Sequence, residues 1–368
     1  MENETKSINY WKVLSFILLA LLIGLGCLFA SSGAGAGSAP SENAPVTEAV
    51  LSSWTSDAAS RQALADYINA ITDETGPDFI PAEDRIAVFD LDGTLFCETD
   101  PVYFDYQLLR YRVTEDATYV DKASDFEKEV AQKIQVMIDT GESASGLEVD
   151  HGKAVASAFA GMTIREFNDY VQAFKSQPAP GYEGMTRGEA FYQPMLEVID
   201  YLTGNDFKVY IVSGTDRLIV RGICDGSLDI PNSQIIGSDE TIVAKNQEGA
   251  DGLDYLYSNT DDLVLGGDFI IKNLKMNKVS VIMQEIGQQP VLSFGNSSGD
   301  SSMAEFVTLN NPYKSLAFML CCDDEVRENG NKQKAQKMYD TCAENNWIPI
   351  SMEKDWTTIY KDGVTRRQ

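Results

Sequence analysis

The sequence predicts a three-layer α/β fold, in which a parallel sheet lies between helices and an α-helical module is inserted into the core. Three observations predict it. Short apolar runs that read as buried strands alternate with segments of helical spacing. The first two of these runs, Arg85–Asp90 and Lys208–Val212, are separated by roughly 100 residues of mostly helical pattern, too long for a simple crossover connection. Hydrophobic residues make up 43% of the 368, which is enough to build a packed core.

The elements follow in order. Val13–Ala30 is an uncharged apolar run preceded by Lys6 and Lys12. A small-residue stretch follows it, with Ala34-Gly35-Ala36 as a possible cleavage site. The run is long for a cleavable signal and just long enough to span a bilayer. The lysines would keep its start inside and send the rest outward. Cleavage, retention as an anchor and lipidation at Cys27 are the three fates this pattern allows. Residues 32–46 have linker composition. From Val46 to about Asp73, apolar residues such as Leu51, Leu64, Ile68 and Ile71 recur at helical spacing, predicting one or two helices. RIAVFD (85–90) predicts a buried strand that ends in acid. Residues 101–188 are mostly helical in pattern, with a Pro/Gly-rich stretch at 178–188. Tyr192–Leu202 predicts a helix and KVYIV (208–212) a second buried strand. Ile235-Ile236 and Thr241–Ala244 suggest two short strands. A helix is expected over Lys275–Ile286, strands at Pro290–Phe294 and Ser315–Leu320, a helix at Asn331–Asn345 and a last strand at Trp347–Ser351.

Charge and rare residues exclude several functions. The chain carries 29 Lys+Arg against 56 Asp+Glu, a net charge of −27. That repels phosphate backbones, so nucleic acid is not an expected partner. The same charge disfavours docking of the folded part on an anionic membrane, leaving the N-terminal segment as the expected membrane contact. The one histidine, His151, excludes zinc sites built on several His ligands. It stands in a polar stretch, EVDHGK, and reads as a surface or helix-start residue. Six cysteines contain no C-x-x-C pair. Cys321 or Cys322 is a candidate to pair with Cys342 in an exported domain.

Chemistry concentrates where predicted strands end. Val88-Phe89-Asp90-Leu91-Asp92-Gly93-Thr94 puts two carboxylates at the carboxyl end of a strand, where open α/β sheets bind ligands. Two such carboxylates repel, and oxygen-only ligation of Mg²⁺ relieves the cost. Ser213 and Gly214 end the second strand and can offer a hydroxyl and main-chain N–H groups to a phosphate. Gly295-Asn296-Ser297-Ser298-Gly299-Asp300 follows a later strand and adds oxygen ligands. Lys275 or Lys278 upstream can neutralise phosphate charge. Taken singly, each segment has a plain reading as a turn, a cap or a solvated helix face.

Together and in this order, the four segments resemble the haloacid dehalogenase (HAD) superfamily over about residues 85–310. The arrangement looks most like its phosphoserine-phosphatase-like branch, in which a helical cap sits between the first two motifs. Gly161-Met162-Thr163 and Val212-Ser213-Gly214 look similar to that branch too. The resemblance implies a core over 47–100 and 191–368, with a helical cap over 101–190 and a targeting segment over 1–31. It implies Asp90 as nucleophile and Asp92 as general acid and base, with Thr94 ordering the loop. Ser213 and Gly214 would bind phosphate. Lys278 would neutralise charge, with Lys275 as the alternative. Asp90, Asp92, Asn296 and Asp300 would hold Mg²⁺. The second aspartate favours phosphate-ester hydrolysis over halide displacement, because only the ester's leaving group needs a proton.

Two departures stand out. The last motif begins Gly295-Asn296 where the family usually has Gly-Asp. The acidic residue that reads a substrate amine in the phosphoserine branch is matched by Glu98 one residue early, with Thr99 in register. The expected protein is an exported, Mg²⁺-dependent phosphomonoesterase acting on a small phosphorylated metabolite. Two alternatives stand beside it: a non-catalytic phosphate- or metabolite-binding module, and phosphotransfer to an acceptor other than water. Tyr103, Phe104, Tyr106, Phe191 and Tyr192 are candidates to line the pocket.

Overall fold

The computed structural model describes residues 50–367. The expected export segment and the linker lie outside these residues. Among the described residues, no helix is long and apolar enough to cross a membrane.

After helix α1 (Ala59–Thr72), the chain enters the sheet at β1 (Ile86–Phe89), whose four residues are all buried. Helices α2 (Phe104–Thr114), α3 (Asp125–Thr140), α4 (Leu147–Ala158) and α5 (Ile164–Lys175) follow before the sheet resumes. A two-residue strand β2 (Tyr182–Glu183) and helix α6 (Gln193–Thr203) lead into β3 (Lys208–Asp216). Then come α7 (Arg217–Cys224), β4 (Ile235–Ala244), β5 (Leu263–Ile271), α8 (Met276–Val281), β6 (Leu292–Gly295) and α9 (Ser301–Thr308). The chain ends with β7 (Leu316–Cys321), α10 (Lys332–Asn345), β8 (Ile348–Ser351) and β9 (Thr365–Arg366).

The main sheet has seven strands in the order β5-β4-β3-β1-β6-β7-β8. Every pairing is parallel except β4–β5, so the sheet is mostly rather than wholly parallel. β1 lies at the centre, with β3 on one side and β6 on the other. The chain therefore reverses its direction of winding at β1, and the carboxyl ends of β3, β1 and β6 open a crevice there. Phe89, Phe294 and Phe318 stack across three adjacent strands with ring centroids 4.3 and 4.9 Å apart, which anchors the floor of that crevice.

The inserted helices are closed by local signals. Ser124 and Glu127 form a reciprocal capping box at the start of α3, and Thr163 and Glu166 form another at α5. Arg112 knits the insert together. It pairs with Asp116 at 2.6 Å and lies over the rings of Tyr119, Phe159 and Tyr170. Helix α4 packs on strand β5, and Gly152 makes that possible. A Cβ there would sit 2.5 Å from the Phe269 ring. The close approach outweighs the cost of about 1 kcal/mol for glycine inside a helix.

Several expectations change. The two short strands near 235–244 are one ten-residue strand, β4. β5 was not expected; it adds to the sheet edge as an antiparallel partner. Between 46 and 73, the described part holds one helix, α1. Cys97, Cys224, Cys321, Cys322 and Cys342 are all free thiols, so Cys342 does not pair with Cys321 or Cys322. Cys342 instead packs as a small apolar group with Ala317, Met319 and Trp347. His151 is not at the surface. It lies on the inner face of α4 with 1% exposure.

Candidate active site

A cleft of about 480 Å³ opens over the crevice at β1. Its floor comes from strand ends. Asp90 follows β1 and Asn296 follows β6, while Gly214 and Thr215 lie within β3. Apolar strands bury their own residues and release the first polar group at the carboxyl end, so this clustering follows from the register of the parallel sheet.

Lys278 is fully buried beneath the floor. Its Nζ donates to Asp90 Oδ1 at 2.5 Å and to Asp300 Oδ1 at 2.7 Å. Asp300 Oδ2 accepts from the main-chain N–H groups of Asn296 and Ser297, each at 3.1 Å. Both Asp300 oxygens are thus occupied. Asp300 holds the lysine and the 296–297 turn. Burial would lower Lys278, but Asp300 and Asp90 together keep it above the usual lysine range. The alternative, Lys275, lies outside the site. It occupies the turn before α8, where its main-chain N–H donates to the Gly299 carbonyl.

Asp92 Oδ2 accepts from Thr215 Oγ1 at 2.8 Å, while Asp92 Oδ1 is buried without a partner. Burial, reinforced by the Asp105 and Asp90 charges, holds Asp92 well above the usual carboxylate range. Burial and the Asp300 charge likewise push Asp90 up to about 7, against the pull of Lys278. Gly93 has φ of +74°, and a Cβ there would overlap the Asn296 amide at 1.8 Å. Only glycine lets the 92–94 turn approach Asn296 this closely.

Ser213 and Thr94 are completely buried and do not line the cleft. Ser213 Oγ accepts from the Thr215 N–H at 3.0 Å, so it shapes the β3 end that presents Gly214 and Thr215. Thr94 Oγ1 has no partner. Glu98 does reach the cleft, and its carboxyl bonds the Asn296 side chain. Thr99 turns the other way and donates to Glu328 at 2.6 Å. The one-residue offset seen in the sequence is therefore absorbed by the turn. Burial pushes Glu98 up to about 7. Tyr103 and Tyr106 line the cleft as expected, whereas Phe104, Phe191 and Tyr192 belong to the hydrophobic core.

Sequence reasoning missed Thr215, Asp105, Glu148, Lys272 and Leu274, all of which line the cleft. Asp105 and Glu148 come from inserted helices, and Lys272 and Leu274 from the segment after the unexpected β5. Gly295-x-Ser297-x-Gly299 has the spacing of a hydrolase nucleophile turn. However, Ser297 Oγ donates to Asp300, and both His151 ring nitrogens face Asp105, so no serine triad forms.

The donor set suits a hard divalent cation. Asp90, Asp92, Glu98 and Asn296 offer only oxygen ligands, and Asp92 Oδ1 is a buried acceptor without a donor. Among the described residues, no three His, Cys, Asp or Glu side chains form a cage by themselves. A cation here would therefore use the Asn296 amide oxygen, main-chain carbonyls or waters as well.

Paired aspartates at a strand end of an α/β sheet, backed by a buried lysine, define an acidic cleft with a built-in cation. A family model for haloacid dehalogenase-like hydrolases matches residues 87–305, more than half of the chain, and the chain belongs to that family. No curated protein matches it. Among solved structures it is similar to a protein of unknown function from Anaerococcus prevotii (14% identity, 79% of this chain and 91% of that one, TM-score 0.47). It is also similar to a cytosolic 5'-nucleotidase IIIB bound to cytidine (12% identity, 79% and 86%, TM-score 0.47). A substrate-bound phosphoserine phosphatase matches at 15% identity over 65% of this chain and 86% of that one, with a TM-score of 0.34.

Proposed function

We propose that the protein is a phosphomonoesterase that hydrolyses a small organic phosphate through an aspartyl-phosphate on Asp90, with Mg²⁺ as cofactor. The observation that carries this reading is the pairing of Asp90 and Asp92 on one cleft, with Lys278 clamped between Asp90 and Asp300. Asp90 attacks phosphorus while Lys278 neutralises charge beside it. Asp92, held above the usual carboxylate range, carries the proton that the leaving alkoxide needs. Once deprotonated, the same carboxylate accepts a proton from the water that hydrolyses the acyl phosphate. Thr215 keeps Asp92 oriented for both steps. Gly214 and Thr215 supply polar groups for the phosphoryl oxygens. Mg²⁺ bound by the Asp90 carboxylate, the Asp92 main-chain carbonyl and Asn296 would offset phosphate charge and stabilise ionised Asp90, leaving the Asp92 carboxyl to its proton.

The inserted helices 104–175 serve as a cap that contributes the upper wall of the cleft and excludes water during transfer. The apolar run 13–30, with Lys6 and Lys12 before it, supports export across the cytoplasmic membrane, with the enzyme free or anchored there. The phosphoserine-phosphatase-like arrangement of motifs supports this reading of the cap.

Hydrolysis of p-nitrophenyl phosphate with and without Mg²⁺ tests the proposal. Turnover should require Mg²⁺, and Asp90→Asn should lower it by about 10⁴-fold or more. Full activity in Asp90→Asn would sink the mechanism.

A further inference from the structure

One carboxylate of the cleft has no part in the steps above. Glu98 follows the 92–94 turn and lines the cleft together with Asn296. Gly93 lets the two side chains meet. A Cβ at Gly93 would lie 1.8 Å from Asn296 Nδ2 and 2.7 Å from the Glu98 carboxyl carbon. The amide nitrogen and the carboxyl group therefore converge over the one residue that leaves room for both, and Glu98 accepts a hydrogen bond from the Asn296 side chain. The turn that carries Glu98 is fixed from behind. Thr99 Oγ1 donates to Glu328 Oε1 at 2.6 Å, and Asn329 Nδ2 donates to the Thr99 carbonyl at 2.9 Å. Glu328 is completely buried and also accepts from the Tyr182 and Tyr360 hydroxyls.

An amide side chain has a donor end and an acceptor end, whereas an ionised carboxylate can only accept. Glu98 therefore decides which way Asn296 points. Nδ2 turns to the carboxylate, and Oδ1 is turned away from it. A hard cation held by Asn296 needs that oxygen end. It also needs negative charge, which a neutral amide does not bring. Of the groups assigned to the cation above, only the Asp90 carboxylate is charged, and Lys278 already bonds it. The Asp90 and Asp300 charges both bear on Glu98. Carboxylates gathered in one cleft repel, a cost that a bound cation removes.

We infer that Glu98 and Asn296 bind the cation as a pair: Glu98 holds the amide with Oδ1 free to ligate and supplies, just behind it, the negative charge that the amide lacks. Glu98 is thus a positioning residue that acts through Asn296, and it builds the metal site instead of reading a substrate amine. This role rests on the Mg²⁺-dependent phosphatase reading above. The inverse arrangement, an acid at 296 and an amide at 98, keeps the same hydrogen bond and the same charge, and should serve equally well. Two amides lose the charge, and two acids repel.

Calorimetric titration of the full chain with Mg²⁺, and Mn²⁺ binding read by electron paramagnetic resonance, measure the cation without turnover. Glu98→Gln should weaken the Kd about 10–100-fold. Adding Asn296→Asp to it should restore the parent Kd to within about threefold. Asn296→Asp alone sets two carboxylates against each other over Gly93. It should lower the melting temperature of the metal-free protein by about 3 °C, and the double variant should regain that loss. An unchanged Kd in Glu98→Gln would overturn the pair and return Glu98 to the substrate. A weakened Kd that the double variant does not repair would also overturn it, because Glu98 would then act by itself. So would an Asn296→Asp variant as stable as the parent, or a parent chain that binds neither ion. Turnover of p-nitrophenyl phosphate is followed separately. Turnover beside an unchanged Kd in Glu98→Gln leaves the phosphatase standing without the pair. A repaired Kd in a chain without turnover keeps the pair and sinks the phosphatase.

Discussion

The floor and the upper wall of the cleft are built on different principles. On the floor, charges are bonded to one another. Lys278 bridges Asp90 and Asp300, Asp300 holds the 296–297 turn, and Thr215 holds Asp92. On the wall, Asp105 leaves an oxygen unmet, and Glu148 stands at the mouth. A network bonded in this way keeps its geometry without ligand, as reacting groups must, even though Asp92 Oδ1 is buried within it without a partner. An unsatisfied wall gains its partners only when substrate arrives. Under the proposed function, the floor would set the reaction and the wall would select what is hydrolysed. The difference matches their origins, because the floor lies on strand ends of the central sheet and much of the wall on inserted helices.

Three perturbations sharpen this contrast. The largest effect is expected at Asp92. Asp92→Asn should lower kcat by about 10²–10⁴-fold, and more for an alkyl phosphate than for p-nitrophenyl phosphate, whose leaving group needs little protonation. Equal losses on the two substrates would remove Asp92 from the acid role. Next comes the stability of the floor. Lys278→Met leaves two buried carboxylates without their cation and should cost about 3–5 kcal/mol in urea unfolding. A variant as stable as the parent would show that the floor is not held by this lysine.

The smallest effect concerns the wall. His151 is neutral when folded, with its pKa lowered to about 4 by burial. The unfolded chain binds its proton first as pH falls, so stability contributed by neutral His151 is complete above its unfolded pKa of about 6.5 and is lost as pH falls toward 4. The loss amounts to about 3 kcal/mol. His151→Gln should flatten the stability profile by that difference between pH 6.5 and 4. Parallel profiles for variant and parent would place the protonation elsewhere. Tyr106 stacks on His151 in a tilted arrangement with centroids 4.2 Å apart, so protonation of His151 bears on the wall of the cleft.

The legible parts of the fold were those in which local signal and tertiary outcome agree. RIAVFD ends in acid because a buried strand must shed its polar groups at its end, and β1 and Asp90 follow from that alone. The long helical stretch between the first two sheet strands was equally readable. β5 escaped because only Val264 and Leu265 of LVLGGDFII are buried, and beyond the glycine pair exposed and half-buried residues alternate, so it lacks the long buried apolar run of its neighbours. His151 was misjudged from its polar neighbours. The helical stripe Leu147, His151, Ala154, Val155 and Ala158 was the better signal, since those residues share the buried face of α4.

The sequence by itself determined the α/β class, the inserted helices and the acidic strand end, because hydrophobic period and strand-end polarity are local properties of a chain. It also carried the net charge of −27, which disfavours nucleic acid but leaves phosphate chemistry open once Lys278 and a cation supply local positive charge. Only the tertiary structure decided between Lys275 and Lys278 and between Glu98 and Thr99, and put Asp300 on the buried lysine. Each of those choices depends on where a side chain meets residues far away in the chain, as when Lys278 meets Asp90 across 188 positions. Sequence spacing does not encode such a meeting; the packing of strands and helices brings it about.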